Sequence, residues 1–385
     1  MKNYLSLLFI FLFFGQINAQ DSLQVKIGGA LRFNYNYSTW KPNQKKRGGD
    51  FGYDMARINA EASYKGVSMN FEYRLYSQSF GGGMLKQGWF AYSPSEKVEL
   101  QLGLTQVPFG ITQYNSHNWF FSLNYYMGLE DDHDMGIKYS RKTDDWLIDL
   151  AFFKNAEELN FGNNSDISFS RYSYDISSID LDGDGQFEYR NKEINQFNGK
   201  VIRILKSEKL EHQIGLSLQY GGIFNLDLNE NGNHSAIGIH YELNFKKWNF
   251  KAQWARFNNS PRTFENDSED IIAMAAYGAP YLVAASSNNY TLGISYSIDV
   301  DWKPISNLLL YNDFGMMDKT KSEFSDSFMN VTGLLVTAGR LFTYIDFAQG
   351  KNHPWLGPLW TEALAQGDPN AKWEMRFNIN FGSYF

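Results

Sequence analysis

The sequence predicts an all-β protein, a transmembrane antiparallel β-barrel of about 16 strands with short periplasmic turns and long extracellular loops. Three observations lead to this prediction. Apolar and polar residues alternate along the chain, short and long connections alternate, and aromatic residues reach 17% although mean hydropathy is only −0.42. Strands that face lipid on one side and water on the other have such a composition, because each apolar residue has a polar neighbour.

The N-terminal segment predicts export. Lys2 precedes an apolar run over residues 4–14, and Ile17-Asn18-Ala19 follows as a small-residue exit. A positive start and an apolar core too short to span a bilayer are typical of a secretory signal peptide. We therefore expect residues 1–19 to be the signal peptide and residues 20–385 to form the barrel. The chain contains no cysteine, so disulfide bonds do not stabilise it.

Period-2 alternation recurs from the first predicted strand to the last. In the third strand, for example, Met69, Phe71 and Tyr73 oppose Asn70 and Glu72. The alternating segments lie near residues 26–38, 53–64, 67–79, 86–93, 98–104, 137–139, 146–152, 195–205, 214–220, 237–245, 248–254, 290–298, 307–314, 328–338, 341–347 and 373–381. An even number of strands suits a closed antiparallel barrel.

The connections alternate in length. Short turns are predicted near residues 65–66, 93–97, 141–145, 207–208, 246–247, 302–306 and 339–340, and longer segments cover 107–133, 155–193, 258–289 and 350–371. Short turns on the periplasmic side and long loops on the exterior are typical of outer-membrane barrels. The predicted location is therefore the bacterial outer membrane, with outer-membrane lipid around the barrel.

The charged residues of the strands predict a polar lumen. A charge that faces lipid near the bilayer midplane costs about 2–4 kcal/mol, so the strand charges should face inward. Parity places seven basic residues inward, namely Arg32, Arg57, Arg74, Lys138, Lys200, Lys251 and Arg376. It also places eight acidic residues inward, namely Glu61, Glu72, Glu99, Asp149, Glu242, Asp299, Asp346 and Glu374. Seven positive charges against eight negative charges indicate no clear ion preference.

A constriction is expected where the third long loop, residues 107–133, meets the arginine-bearing strands. Arg32, Arg57 and Arg74 lie on three consecutive strands, and the loop ends in the acidic run Glu130-Asp131-Asp132. If the loop folds inward, arginines and carboxylates would face each other across the pore and bias ion traffic. The alternative is a set of individually paired, solvated lumen charges without a selective role.

Two stretches resemble known families. The segment L-T-Q-V-P-F-G at residues 104–110 resembles the strand-to-loop motif of the phosphate-selective porin O and P family. That resemblance implies a sixteen-stranded porin with an inward third loop, often a homotrimer, through which small hydrophilic solutes or ions diffuse passively. Phosphate selectivity is not implied, because it needs a lumen dominated by Lys and Arg.

The end of the chain is similar to the C-terminal assembly signal of bacterial outer-membrane proteins. Apolar residues occupy alternate positions at Phe377, Ile379 and Phe381, and the chain ends on Phe385. Ser383 departs from the aromatic residue expected two positions before the end. The resemblance implies that the barrel-assembly machinery reads this strand as an insertion signal.

A calcium loop is a further candidate, within residues 180–191. Asp180, Asp182 and Asp184 occupy positions 1, 3 and 5 of such a loop, with the carbonyl of Gln186 at position 7 and Glu188 at position 9. Asn191 stands where a bidentate Glu is expected. The alternative is a solvated Asp/Gly hairpin. No cofactor is otherwise required.

Other functional classes have less support. The net charge of −7 and a pI near 5.5 argue against nucleic acid as a partner. Six scattered histidines show no metal-binding or catalytic spacing, so we expect no enzymatic activity. A surface receptor or adhesin that uses the long loops is the main alternative to a channel, and a barrel-borne hydrolase is a weaker one.

Overall fold

The computed structural model describes residues 22–157, 170–264 and 268–385, so the predicted signal peptide at residues 1–19 lies outside the described residues. These ranges contain 19 strands and one short helix, α1 (Pro42–Arg47). The strands are β1 (Gln24–Ser38), β2 (Asp50–Tyr64), β3 (Val67–Leu75), β4 (Gly83–Ser95), β5 (Val98–Gln106), β6 (His133–Lys142), β7 (Trp146–Ala156), β8 (Asp175–Ile176), β9 (Asn191–Lys206), β10 (Leu210–Asn225), β11 (Glu230–Phe245), β12 (Trp248–Ser260), β13 (Ile271–Ala276), β14 (Ala279–Ala284), β15 (Ser286–Trp302), β16 (Ile305–Lys319), β17 (Ser327–Ala338), β18 (Leu341–Lys351) and β19 (Glu374–Tyr384).

Sixteen of the strands form one closed antiparallel barrel. Each barrel strand pairs with its sequence neighbour in the barrel, and β1 closes the ring by pairing with β19 over Ala30↔Tyr384 to Ser38↔Arg376. The predicted fold class and strand number are therefore confirmed. Within the described ranges, no helix is long and apolar enough to cross a membrane.

The connections at the two ends of the barrel differ as predicted. All seven connections at the end near the C-terminus are two or three residues long, from 65–66 between β2 and β3 to 339–340 between β17 and β18. The opposite end carries the long connections, including residues 107–132 between β5 and β6 and 352–373 between β18 and β19. We call residues 107–132 the inward loop, for reasons given below.

The outer and inner faces of the barrel follow the alternation. Ile27, Leu102 and Leu150 point outward and expose 78%, 57% and 55% of their surface. Polar residues at inward positions are buried, as Gln101 of β5, Gln253 of β12 and Asn289 of β15 are. A band of exposed apolar side chains around a closed barrel is the kind of surface that a lipid bilayer covers.

Three strands were missed by the sequence analysis. β8, β13 and β14 form a small sheet, here called the outer sheet, from connections at the end of the barrel that carries the long loops. Every residue of β13 is buried. Alternation does not predict this strand, because Ile271–Ala276 is a continuous apolar run, which is typical of a strand buried on both faces.

Candidate functional site

Three arginines form a row on the inner wall of the barrel. Arg57 of β2 lies directly opposite Arg74 of β3, and Arg32 of β1 lies two residues along from Ala30, the partner of Arg57. Because alternate residues of a strand share a face, all three side chains point into the lumen. The structure therefore brings together the three arginines that the sequence placed on consecutive strands.

Carboxylates of β2 and β3 form ion pairs with these three arginines. Arg74 Nε lies 2.6 Å from Glu72 Oε1, and Arg57 Nη1 lies 3.4 Å from Glu72 Oε2. Arg32 Nε lies 2.7 Å from Asp54 Oδ2. Asp54 is the extra residue of a β-bulge, because Arg32 pairs with Met55 and the next residue, Phe33, pairs with Tyr53. A bulge re-aims the side chain that it carries, which brings Asp54 to the arginines.

Aromatic rings cover the guanidinium faces. The guanidinium carbon of Arg32 lies 4.2 Å from the ring centre of Trp119, and that of Arg74 lies 4.5 Å from the ring centre of Tyr172. Each contact is within the range of a cation–π interaction, which is worth about 0.5–2 kcal/mol. The rings belong to loops, so these contacts hold loop residues against the barrel wall.

A fourth arginine completes the site. Arg376 of β19 borders the same cavity, and no carboxylate lies within 4 Å of it in the part of the chain that the structure describes. The cavity, here called the arginine cavity, has a volume of about 490 Å³. Its walls also include the aromatic residues Tyr76, Tyr114, Trp119, Phe120, Tyr125, Tyr126, Tyr172, Tyr277, Tyr344 and Tyr384. Four arginines against Asp54 and Glu72 leave it with an excess of positive charge.

The inward loop crosses the lumen and forms one wall of the arginine cavity. Its backbone donates hydrogen bonds to the far side of the barrel, from Gly110 N to Ser217 Oγ at 3.0 Å and from Ile111 N to Gln253 Oε1 at 3.0 Å. Further along, His117 N donates to Asp313 Oδ2 at 2.8 Å. The loop is thus fixed to β10, β12 and β16, and its other side faces the arginines.

The P-F-G segment explains how the loop turns inward. Phe109 is buried against Gly238 of β11, where a Cβ would lie 3.0 Å from the ring. Gly110 has φ +60°, and a Cβ there would lie 2.4 Å from Gln253 Oε1. Only glycine combines this left-handed backbone with such a close approach.

The acidic run does not border the arginine cavity. Asp131 Oδ2 accepts hydrogen bonds from Lys86 Nζ at 2.7 Å and from the Tyr172 hydroxyl at 2.6 Å. Glu130 is folded into its own loop, where it accepts from the backbone N–H groups of Asn115 and Ser122, and burial raises its pKa to about 7. Asp132 faces other carboxylates, discussed below. The expected array of arginines opposite this acidic run is therefore not formed, because Glu130 is bonded within its own loop, Asp131 is bonded to Lys86 and Tyr172, and Asp132 lies among other carboxylates.

Glu61 also lies apart from the other candidates. Its side chain is 53% exposed near the short-turn end of β2, and its nearest cation is Lys26 at 3.9 Å. Asp149 pairs with Lys200 at 3.4 Å and Asp299 pairs with Lys247 at 3.2 Å, both away from the arginine cavity. Positive and negative charges are therefore nearly balanced over all inward residues, but arginine is in excess around the arginine cavity.

Residues 180–190 form a turn that is exposed at 181–186, and Asn191 is the buried first residue of β9. Asp180 accepts from the backbone of Gly183 at 2.7 Å and Gly185 at 3.0 Å, and one carboxylate oxygen from each of Asp180, Asp182 and Asp184 lies within 4.8 Å of the others. Glu188 accepts from Leu181 N, and Gln186 N donates to Asp184. The side chains thus hydrogen-bond to the backbone of the turn itself.

The terminal strand closes the barrel. Phe377, Ile379 and Phe381 share the outward face of β19, where Phe381 stacks on Phe33 with ring centres 5.9 Å apart. Gly29 N donates to the Phe385 carbonyl at 2.8 Å, and the Phe385 side chain is 67% exposed.

The fold, a sixteen-stranded barrel with a loop folded into its lumen beside a charged wall, is similar to that of solved outer-membrane porins and channels. Among solved structures, the outer-membrane channel DcaP of Acinetobacter baumannii superposes with a TM-score of 0.59 at 9% identity, over 96% of this chain and 100% of that chain. The anion-selective porin of Comamonas acidovorans gives 0.57 at 14% identity, over 94% and 100%. The trimeric form of OmpT of Vibrio cholerae gives 0.56 at 11% identity, over 95% and 100%.

These similarities are in fold. No family model matches the sequence, and no curated protein matches it as a relative. The finer resemblance to the phosphate-selective porins rests on the L-T-Q-V-P-F-G segment alone.

Proposed function

We propose that this chain forms a water-filled channel in the bacterial outer membrane, through which small hydrophilic solutes diffuse with a preference for anions. The arginine cavity carries this proposal, because four guanidinium groups against two carboxylates lie where the inward loop narrows the lumen. Fixed charges at the narrowest part of a pore bias which ions pass. The similar solved structures, which are porins and channels, support a channel in general.

The aromatic lining favours anions with an apolar or ring-shaped body over compact ones. Tyrosine and tryptophan rings offer apolar faces and polar edges, so a solute could stack on a ring while its anionic group meets an arginine. Arg376 is the best anchor, since no described carboxylate neutralises it. A homotrimer is part of the proposal, and the trimeric OmpT structure is consistent with it.

The experiment is single-channel recording of the refolded protein in a planar bilayer under a salt gradient. We expect stepwise conductance and a reversal potential of the sign for anion preference. Arg376→Gln should reduce the ratio of anion to cation permeability by about fivefold at most, because a unit charge at 4 Å is worth about 1 kcal/mol in water. This substitution leaves no carboxylate without its partner, so the fold should be retained.

Arg256→Gln is the matched control, because Arg256 lies on the outward face of β12 and is exposed. We expect it to leave the permeability ratio unchanged. Insertion without conductance would contradict the channel and favour a loop-mediated receptor. Conductance with cation preference would contradict only the anion preference.

We also propose that residues 180–191 bind calcium from the exterior. The approach of the Asp180, Asp182 and Asp184 carboxylates supports this, and Asn191 at the twelfth position weakens the site relative to a complete calcium loop. The absence of calcium heat at millimolar metal in a calorimetric titration would contradict it.

A further inference from the structure

Five buried carboxylates meet beside the arginine cavity, in a group that we call the carboxylate cluster. Its members are Asp132, Asp134, Glu157, Asp175 and Glu193, none of them more than 8% exposed. They come from the end of the inward loop, the start of β6, the connection after β7, β8 and the start of β9. Arg171 pairs with the cluster, its Nη1 lying 3.1 Å from Asp175 Oδ2.

The cluster has an excess of negative charge that one guanidinium does not balance. Burial of an ionised carboxylate costs several kcal/mol unless a cation or hydrogen-bond donors compensate for the lost water. Asp132 Oδ1 accepts from His133 N at 2.9 Å, and Asp134 Oδ2 accepts from Gln196 Nε2 at 3.1 Å. Glu157 accepts from Tyr172 N and Ser173 N, and Glu193 accepts from Ile176 N at 3.1 Å. These two hold the backbone around Asp175 in place.

The three aspartates are arranged differently. One oxygen from each of Asp132, Asp134 and Asp175 lies within 4.8 Å of the other two. Asp134 Oδ1 and Asp175 Oδ1 are buried and have no hydrogen-bond partner in the described part of the chain. Both residues are only 1% exposed. Buried carboxylates this close together repel one another unless they share a proton or a cation.

We propose that Asp132, Asp134 and Asp175 bind one calcium ion, with Glu157 and Glu193 as the carboxylates that position these ligands. The ligand set consists of hard oxygen atoms only, without imidazole or thiolate, which favours calcium or magnesium over transition metals. Calcium is favoured over magnesium because it accepts irregular cages of protein oxygens, whereas magnesium tends to retain several waters.

The site would connect the inward loop to the rest of the lumen wall. Asp132 ends the inward loop, and Asp175 follows Tyr172 and Tyr174, which border the arginine cavity. Tyr172 also donates its hydroxyl hydrogen to Asp131, next to Asp132. A bound ion would therefore hold the two cavity walls at a fixed separation. This role does not depend on which solute the channel passes.

The experiment uses the full mature protein, refolded in detergent and stripped with EDTA. Calcium binding is measured by calorimetry, and thermal unfolding is measured with calcium and with EDTA. The variants are Asp134→Asn with Asp175→Asn, and as matched control Asp182→Asn with Asp184→Asn in the exposed turn. We expect the control variant to lose at most the binding heat of the exposed turn, and to keep calcium binding at the carboxylate cluster together with the calcium-dependent rise in melting temperature. The cluster variant should lose that rise and bind calcium at the cluster at least about tenfold more weakly.

The sign of the effect without metal gives an independent check. In EDTA, neutral asparagines should raise the melting temperature, because they remove repulsion between buried carboxylates; in calcium, they should lower it relative to the natural protein. A rise in both conditions would show that the aspartates merely share protons, and would overturn the proposal. Calcium dependence that disappears only in the control variant would overturn it as well.

Terbium luminescence covers the case in which the cluster variant does not fold. Tyr172 and Tyr174 lie close enough in sequence to Asp175 to sensitise a bound terbium ion. In the Asp182→Asn, Asp184→Asn protein we expect a tyrosine-sensitised signal that calcium displaces. No such signal would contradict the site.

Discussion

Lys86 Nζ lies 2.7 Å from Asp131 Oδ2, and both side chains are at most 6% exposed. The pair joins β4 to the end of the inward loop. Removal of one partner of a buried ion pair leaves the other charge unpaired and costs about 3–5 kcal/mol.

We therefore predict that Asp131→Asn destabilises the protein by about that amount. The measurement is denaturant unfolding in detergent, followed by tryptophan fluorescence. Glu61→Gln breaks the exposed pair with Lys26, and we expect a change of about 1 kcal/mol or less. Equal effects of the two substitutions would show that the lumen pair is as well solvated as a surface pair.

Gly110→Ala should enlarge the pore. The new Cβ would clash with Gln253 at 2.4 Å in a left-handed backbone conformation, so the inward loop should move away from β12. We expect higher single-channel conductance and weaker ion preference.

Gly339→Ala is the matched control for the glycine substitution. Gly339 has φ +63°, close to that of Gly110, but no atom lies within 4 Å of its virtual Cβ. We expect Gly339→Ala to carry a similar cost for the left-handed backbone conformation but to leave the single-channel conductance unchanged. If both variants conduct alike, steric contact at Gly110 does not set the loop position.

Asp54→Asn should strengthen anion preference. The substitution removes one of the two negative charges beside the four arginines and leaves Arg32 without its ion pair at 2.7 Å. The reversal potential under a salt gradient should shift in the direction opposite to that of Arg376→Gln. A shift in the same direction would mean that solutes pass elsewhere in the lumen.

His353 should make the loop after β18 sensitive to acid. Its Nδ1 accepts from Trp355 N at 3.2 Å, its ring packs 4.5 Å from Tyr126, and burial, together with the charge of Arg376, lowers its pKa to about 3. The unfolded value is about 6.5. The neutral ring therefore contributes its full stability above about pH 6.5, and this stability is lost as the pH falls toward 3.

The measurement is the difference in melting temperature between the natural protein and His353→Asn at pH 7.5 and at pH 4.5. The asparagine oxygen can accept the same hydrogen bond but does not titrate. We expect the natural protein to lose more stability on acidification than the variant. Parallel curves would show that the ring is not buried in solution.

Phe385→Ala should affect assembly more than stability. The backbone of Phe385 pairs with Gly29, and the side chain, whose ring lies over Gly29, is 67% exposed. If the assembly machinery reads this ring, the variant should accumulate several-fold less in the outer membrane and yet melt normally after refolding. Phe347→Ala, which removes an outward aromatic residue from the middle of the barrel wall, is the control.

The barrel could be predicted from the sequence because the alternation that specifies each strand is a local pattern. Alternation along each strand determines which residues face lipid, and this placed Arg57 and Arg74 in the lumen without knowledge of their neighbours. The seven short turns were located for the same reason. The inward course of the third loop was implied by the resemblance of residues 104–110, and not by alternation.

The site was predicted only in part because its remaining members depend on distant segments. Alternation alone places Asp54 with the outward residues Ala56 and Ile58, and only the bulge beside Met55 turns it to Arg32. Asp132 and Asp175 are 43 residues apart in sequence, and no periodic pattern links them. Similarly, Tyr172 gave no signal, since a loop tyrosine resembles any other until its partners are known.

The outer sheet joins three loops that the chain visits at widely separated points. β8 comes from the connection after β7, β13 and β14 come from the connection after β12, and Leu282 and Ala284 donate backbone hydrogen bonds to Thr361 and Leu364 in the connection after β18. None of these segments can detach from the outer sheet without breaking backbone hydrogen bonds that another segment makes. Their amide hydrogens should therefore exchange with solvent together, as one cooperative unit, so that the exterior mouth of the barrel behaves as a single body.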